Sequence, residues 1–188
     1  MDRDQYIDQI FEKQEELSTI VQSYWSQYSH MGTWQFWVVT SFLIIPLVVL
    51  VFAVDRKRIF EVLFFGFVVH MLWTYAALLL SNLGYFAYNY YSTPLLPASL
   101  NMTASVLPVS FLLLYQYCTN HQKNFFLYLL LLSAVYAFGF ASIEIRMGFL
   151  ELRGGMRQLY LFLSDIVIGV LAYFLTQLLK RYRIEQRD

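Results

Sequence analysis

Apolar residues are gathered into long blocks that alternate with short polar segments along most of the chain. Each of the five blocks has about 20 residues, enough for a helix to cross a hydrocarbon core about 30 Å thick. The blocks cover 33–54, 59–80, 98–118, 124–143 and 158–179. The pattern predicts an all-α, polytopic membrane protein, in which residues 33–180 form a five-helix transmembrane bundle.

The first 32 residues follow the pattern of an amphipathic helix instead. Apolar side chains recur at three- and four-residue spacings from Ile7 to Tyr28, and the opposite face carries acids such as Asp8 and Glu12. An acidic face argues against adsorption to anionic lipid. We expect residues 1–32 to form an amphipathic acidic N-terminal helix. This helix either packs on the protein or at the membrane interface, or it docks a protein partner.

Composition supports the membrane assignment, since 59% of the residues are hydrophobic and 14% are charged. Soluble domains have about 25% charged residues. The formal net charge is zero, so no nucleic-acid partner is expected. The single cysteine, Cys118, rules out an internal disulfide and any cysteine-rich metal site.

The distribution of lysine and arginine predicts the orientation. Eight of these residues lie in the segments 55–58 and 119–124 and after the last block, which five spans place on one side. The other side has five, two of them far from the first span. Basic residues close to the spans favour the cytoplasm. We therefore expect the N-terminus outside and a basic cytoplasmic tail at 181–188.

Two ionisable side chains lie deep within the predicted spans. His70 is near the middle of the second span, and Asp165 is about two turns into the fifth, at a similar depth. Such groups cost about 2.5–3.5 kcal/mol each on insertion scales, so we expect a direct or water-mediated contact between them. Thr74 and Tyr136 complete a candidate intramembrane polar site. It is either a structural hydrogen-bond network, or a proton relay or polar ligand site.

Other charges lie near the ends of the predicted spans. Glu61 follows Lys57 by one turn, a spacing suited to an interfacial charge pair. Glu144 and Arg146 are expected in a solvated loop of mixed charge. Glu144 also continues a stripe on the fourth span that contains Ser133, Ala137, Phe140 and Ala141.

The segment 82–97 joins the second and third spans without a single charge, and it has four tyrosines. Aromatic rings of this kind suit the interfacial belt of a membrane protein. The segment therefore either anchors the chain at the interface or caps a ligand.

Several stretches resemble a known family: Thr33–Trp37, the linker Asp55–Arg58, and a segment that begins at Tyr115 and continues through Lys123. Over roughly residues 20–180 the chain is similar to a family of five-span membrane proteins, without assigned activity, from spore-forming Gram-positive bacteria. The resemblance implies five spans in a bacterial inner membrane, and it carries over no catalytic residue.

No metalloprotease, nucleophile-elbow or phosphate-loop motif is present, so we expect no catalytic, cofactor-binding or metal-binding residue. We expect a non-enzymatic membrane component that acts through a protein partner, in a sensor or assembly role. A small transporter or ligand-binding protein that uses the polar layer around His70 and Asp165 is the alternative. An enzyme that acts on lipid or isoprenoid within the membrane is a third hypothesis. The lipid bilayer is the expected surrounding, and residues 1–32 would contact the protein partner.

Overall fold

The structure is a computed structural model that describes residues 2–96 and 99–185. Within these ranges the chain forms six helices and two short strands. The helices are α1 (Arg3–Tyr28), α2 (Trp34–Ala53), α3 (Ile59–Asn82), α4 (Asn101–Asn120), α5 (Phe125–Arg146) and α6 (Gln158–Glu185). The strands are β1 (Phe86–Tyr88), between α3 and α4, and β2 (Leu150–Leu152), between α5 and α6.

Helices α2 to α6 are each long and apolar enough to cross a membrane, which confirms the prediction of five such helices. The predicted start of the third span at Ala98, and residues 186–188 of the predicted tail, lie outside the described residues. We call the end of the bundle that holds the linker 54–58 the tail end, and the opposite end, which holds β1 and β2, the head end.

Helix α4 occupies the centre of the bundle. In its most apolar stretch 61% of the residues are buried, against 11% for α2. Its mean hydropathy over that stretch is 1.2, the lowest of the five, whereas that of α2 is 2.6. A helix shielded from lipid can have polar side chains if neighbouring helices satisfy them. The least apolar span is therefore the one that the others surround.

Glycines allow neighbouring helices to approach closely at two positions. A Cβ atom at Gly66 of α3 would lie 2.4 Å from Cδ2 of Leu112 on α4. A Cβ atom at Gly169 of α6 would lie 2.5 Å from Cδ1 of Leu129 on α5. Small residues at such crossings are typical of membrane helices, because packing rather than hydrophobic burial holds these helices together.

Two of the spans contain a wide π-helical turn. Residues Asn101–Val106 form the first turn of α4, and Val135–Phe140 form the middle of α5. In α4, the N–H of Leu107 donates to the carbonyl oxygen of Met102, five residues earlier. The next residue is Pro108, which has no N–H to donate to the carbonyl of Ala104. The altered hydrogen bonding of α4 therefore adjoins a residue that cannot take part in a regular helix there.

The two strands form a small antiparallel sheet at the head end, which the sequence analysis did not predict. Phe86 pairs with Leu152, and Tyr88 pairs with Leu150. Gly84 and Gly148 have positive φ, a conformation that favours glycine, and they lie just before the two strands. Phe86 and Leu150 are buried against the bundle. The sheet therefore covers the head end of the helices.

Helix α1 does not pack its apolar face on the bundle, so the prediction that it packs on the rest of the protein is wrong for most of its length. Ile10 and Phe11 are 66% and 70% exposed, and no residue of α1 is fully buried. Contact begins only near its C-terminus, where the indole N–H of Trp25 donates to the carbonyl oxygen of Tyr91 at 3.1 Å. The two other predicted surroundings of this face, the membrane interface and a protein partner, stay open.

The close approach of α3 and α4 gives a test of the fold. We expect Gly66→Ala to lower the midpoint of thermal unfolding in detergent. Overpacking against Leu112 costs about 1–3 kcal/mol, and the better helix propensity of alanine returns only about 0.5–1 kcal/mol. Gly139→Ala is the matched control, because a Cβ atom there meets nothing within 4 Å. Equal midpoints for the two variants would contradict this packing.

Candidate functional site

A cavity lies beneath the sheet at the head end, between α3, α4, α5 and α6. Its volume, measured as the space that the centre of a water molecule can occupy, is about 40 Å³. One buried water needs about 10–15 Å³ by this measure, so the cavity has room for about three water-sized groups. Its walls are mostly apolar, and polar groups reach it from six residues: Trp73, Tyr88, Thr103, Tyr136, Glu144 and Asp165.

Asp165 is the most deeply buried carboxyl group in the cavity wall, with 2% of its surface exposed. Helix α6 presents it to α3, where the indole N–H of Trp73 donates to its Oδ1 atom at 3.0 Å. This is the only hydrogen bond that its carboxyl group makes within the described residues. An aspartate has about four acceptor positions when ionised, so most of its capacity stays unused.

Glu144 is a second buried carboxyl group on the same cavity, and it is 6% exposed. Its placement in a solvated loop was therefore wrong. Helix α5 continues to Arg146, so Glu144 still lies on the helix and on the face that Ala137 and Ala141 share. Among the described residues, no hydrogen bond or ion pair reaches its carboxyl oxygens. Burying a carboxylate without a partner costs free energy.

Tyr88 of β1 lines the cavity at the head end, together with Phe86 and Leu150 of the sheet. Burial raises the pKa of its hydroxyl group, and the carboxyl groups of Glu144 and Asp165 raise it further. The phenol is therefore a neutral hydrogen-bond donor or acceptor at any physiological pH. Because β1 lies outside the five spans, the cover of the cavity is a separate element from its helical walls.

Both π-helical turns contribute to the cavity wall. Met102 and Thr103 come from the turn in α4, and Tyr136, Ala137 and Phe140 come from the turn in α5. A π-helical turn shifts the side chains that follow it relative to a regular helix, and such turns occur often at functional sites. The two irregular parts of the spans therefore meet at the same place.

His70 and Thr74 form a pair behind this wall. The Nδ1 atom of His70 lies 2.8 Å from the carbonyl oxygen of Thr103 and 3.3 Å from the hydroxyl oxygen of Thr74. A carbonyl oxygen can only accept, so the Nδ1–H group of His70 donates a hydrogen bond to the carbonyl oxygen of Thr103. His70 thus supports the backbone of a cavity residue without lining the cavity itself.

The expected direct contact between His70 and Asp165 is absent, although the structure describes both side chains. The partner of Asp165 on α3 is Trp73, three residues after His70. Depth along a helix does not fix direction around it, and the long indole of Trp73 reaches α6. Tyr136 does line the same cavity as Asp165, and its hydroxyl group pairs with Ser110.

Glu61 also has different partners from those expected. Arg58 lies 2.6 Å from its carboxylate, Lys180 of α6 lies 3.0 Å away, and the hydroxyl group of Tyr115 donates at 2.6 Å. The pair with Lys57 was wrong because α3 begins at Ile59. Lys57 therefore lies in the turn before the helix, so a spacing of four residues does not bring its side chain next to Glu61. This charge cluster lies at the tail end of the bundle, whereas the cavity lies at the head end.

Within the described residues, no three His, Cys, Asp or Glu side chains come together in a way that could hold a metal ion. The cavity instead offers two carboxyl groups, hydroxyl groups and aromatic rings. That set suits a ligand that donates hydrogen bonds or has a positive charge, since carboxylates only accept.

No known protein family, curated protein or solved structure matches this chain. The resemblance to a family from spore-forming bacteria therefore stays a prediction, and the site is interpreted from its own geometry.

The pairing of Trp73 with Asp165 can be measured by a double-mutant cycle in detergent. We expect Trp73→Phe and Asp165→Ala to be coupled by about 0.6 kcal/mol, and by at most about 1.7 kcal/mol, as for other hydrogen bonds between membrane helices. The control cycle combines His70→Ala with Asp165→Ala, and its losses should add. A stronger coupling in the control cycle would show that His70 is the true partner of Asp165.

Proposed function

We propose that the protein is a non-enzymatic membrane receptor that binds a small cation in the cavity between Glu144 and Asp165. The observation that supports this proposal is that two buried carboxyl groups line one cavity and, within the described residues, accept only one hydrogen bond between them, from Trp73 to Asp165. Two ionised carboxylates in an apolar site repel each other unless one of them takes up a proton or a positive charge lies between them. A bound ammonium group would supply that charge and donate hydrogen bonds to both.

The size of the cavity limits the ligand. Room for about three water-sized groups suits a ligand of about three non-hydrogen atoms, such as ethylammonium. The best small ligands gain at most about 1.5 kcal/mol per non-hydrogen atom. Three atoms therefore give at most about 4.5 kcal/mol, which corresponds to a Kd near 1 mM. We therefore expect weak binding, with a Kd in the millimolar range or higher.

The cover of the cavity offers a route from ligand to partner. Tyr88 lines the cavity, and the carbonyl oxygen of Tyr91, three residues later, accepts a hydrogen bond from Trp25 of α1. The rings of Tyr24 and Tyr91 also stack, with centroids 6.2 Å apart. A ligand that moves the segment 83–96 would therefore act directly on α1. A sensor role, with α1 as the output to a protein partner, follows from this connection.

Ligand binding can be tested by thermal unfolding in detergent at up to about 100 mM ligand. We expect ethylammonium chloride to raise the midpoint by several degrees, because occupancy at 100 times Kd is worth about 2.7 kcal/mol. Ethanol, a neutral molecule of the same size, and sodium chloride at equal concentration should have smaller effects. Asp165→Asn and Glu144→Gln should each reduce the shift.

Glu151→Gln is the control variant, because Glu151 is an exposed carboxylate of β2 that pairs with Arg153. It should respond to ethylammonium as the unmodified protein does. A shift that survives in both cavity variants, or that ethanol and sodium chloride reproduce, would rule out ammonium binding between these carboxyl groups.

We also propose an inner-membrane orientation with α1 outside, supported by the lysine and arginine counts, and a protein partner for the apolar face of α1, supported by its exposure. Both are tested by single cysteines in a Cys118→Ala background. One cysteine replaces Gln14, which lies on the apolar face of α1, and the other replaces Glu12, which lies on the opposite face.

A membrane-impermeant maleimide should label Glu12→Cys in intact cells, whereas Gln14→Cys should react several-fold more slowly there and equally fast in purified protein. Labelling of Glu12→Cys only after the cells are permeabilised would show the opposite orientation, with α1 in the cytoplasm. Slow reaction of Gln14→Cys in liposomes of purified protein would show that lipid, and not a protein partner, covers this face.

A further inference from the structure

The tail end of the bundle has a second recess, which the proposed receptor function does not use. It lies between the start of α3, the linker of α4 and α5, and the C-terminal part of α6, and its volume is about 530 Å³. Polar side chains dominate its wall. Three of its residues are basic: Arg58, Lys123 and Lys180.

The positive charges in this recess exceed the negative charge next to it. Within the described part of the chain, Glu61 is the one carboxylate that forms an ion pair with any of the three basic residues, and it contacts two of them, Arg58 and Lys180. Asp55 does not line the recess, but its carboxylate accepts a hydrogen bond from Asn120, which in turn accepts one from Arg58, so Asp55 is a second negative charge near Arg58. Among the described residues, Lys123 is thus the basic residue of the recess that no carboxylate contacts.

The donors are held in place to different degrees. The guanidinium group of Arg58 is fixed by Glu61 on one edge and by Thr119 on the other, at 3.0 Å. Lys180 uses one of its three N–H donors on Glu61, and 40% of its side chain is exposed. The ammonium group of Lys123 makes no hydrogen bond or ion pair within the described residues. Lys123 and Lys180 therefore have free donors that can turn towards an anion.

We propose that this recess binds a phosphate group, through Lys123 and Lys180 beside the Arg58–Glu61 pair. Phosphate oxygens are strong acceptors, and lysine binds them as a compact positive charge. The aromatic residues Phe125, Phe126 and Tyr173 also line the recess. The recess lies where the spans end, at the depth of lipid headgroups, so an anionic phospholipid is the first source of this phosphate. A free phosphate ion is the second.

The test uses native mass spectrometry of the delipidated full-length protein in mild detergent, with phosphatidylglycerol added. Diacylglycerol, which lacks the phosphate, is the matched lipid control. We expect Lys123→Gln to weaken retention of phosphatidylglycerol about fivefold, the effect of one lysine near an anionic membrane surface. Because the side chain of Lys123 has no partner among the described residues, this variant should fold normally, and equal unfolding midpoints would verify that. The double variant with Lys123→Gln and Lys180→Gln should retain phosphatidylglycerol still more weakly.

Lys13→Gln removes the same charge from an exposed position of α1, where Glu16 is the one ion-pair partner of Lys13 among the residues that the structure describes. It should retain phosphatidylglycerol as the unmodified protein does. Equal retention by the Lys123→Gln and Lys13→Gln variants, or equal retention of diacylglycerol, would overturn the proposal. Competition by millimolar inorganic phosphate distinguishes the two sources: displacement of the lipid would identify a free-phosphate site, and no displacement a site for the phospholipid.

Discussion

The stack of Phe65 on Tyr115 is the contact that the bundle depends on. The two rings are nearly parallel, with centroids 4.5 Å apart, and neither residue has exposed surface. They join α3 to the central helix α4, and Phe125 and Tyr173 bring α5 and α6 against the same ring of Tyr115. The hydroxyl group of Tyr115 then donates to Glu61. One side chain therefore connects the apolar core of four spans to the charge cluster at the tail end.

The central position of α4 also explains where irregular structure is tolerated. Main-chain groups that leave regular helical hydrogen bonding need protein or water partners, because lipid offers none. The π-helical turn of α4 is enclosed by α2 and α3, and the carbonyl oxygen of Thr103 within it accepts from His70. Likewise, the hydroxyl group of Ser105 donates to the carbonyl oxygen of Leu43 at 2.7 Å. Buried polar side chains thus compensate for the irregular backbone that shapes the cavity.

The length of the apolar blocks was enough to predict the five spans, because the hydrocarbon thickness sets that length. The partners of the polar groups were harder to predict. The prediction paired His70 with Asp165 because the two lie at a similar depth in their spans. The direction in which each side chain leaves its helix was not considered, and in the structure Trp73 is the partner of Asp165. The pair of Glu61 with Lys57 failed because the helix starts two residues after Lys57. Glu144 could have been recognised, since it continues the small-residue stripe of Ala137 and Ala141. Its proximity to Arg146 suggested a loop instead.

The two ends of the bundle treat buried charge in opposite ways. At the tail end, Glu61 has two basic partners and a hydroxyl donor, so its charge is fully compensated. At the head end, Asp165 has one neutral donor, and Glu144 has none within the described residues. A bundle that needed only stability would fill such a cavity with apolar side chains, since a buried polar group without partners is unfavourable. Unfilled space, buried carboxyl groups with few hydrogen bonds and two π-helical turns each weaken a fold, and here all three occur at one place. Such local violations concentrate at functional sites, which favours the cavity over the paired cluster as the place where this protein acts.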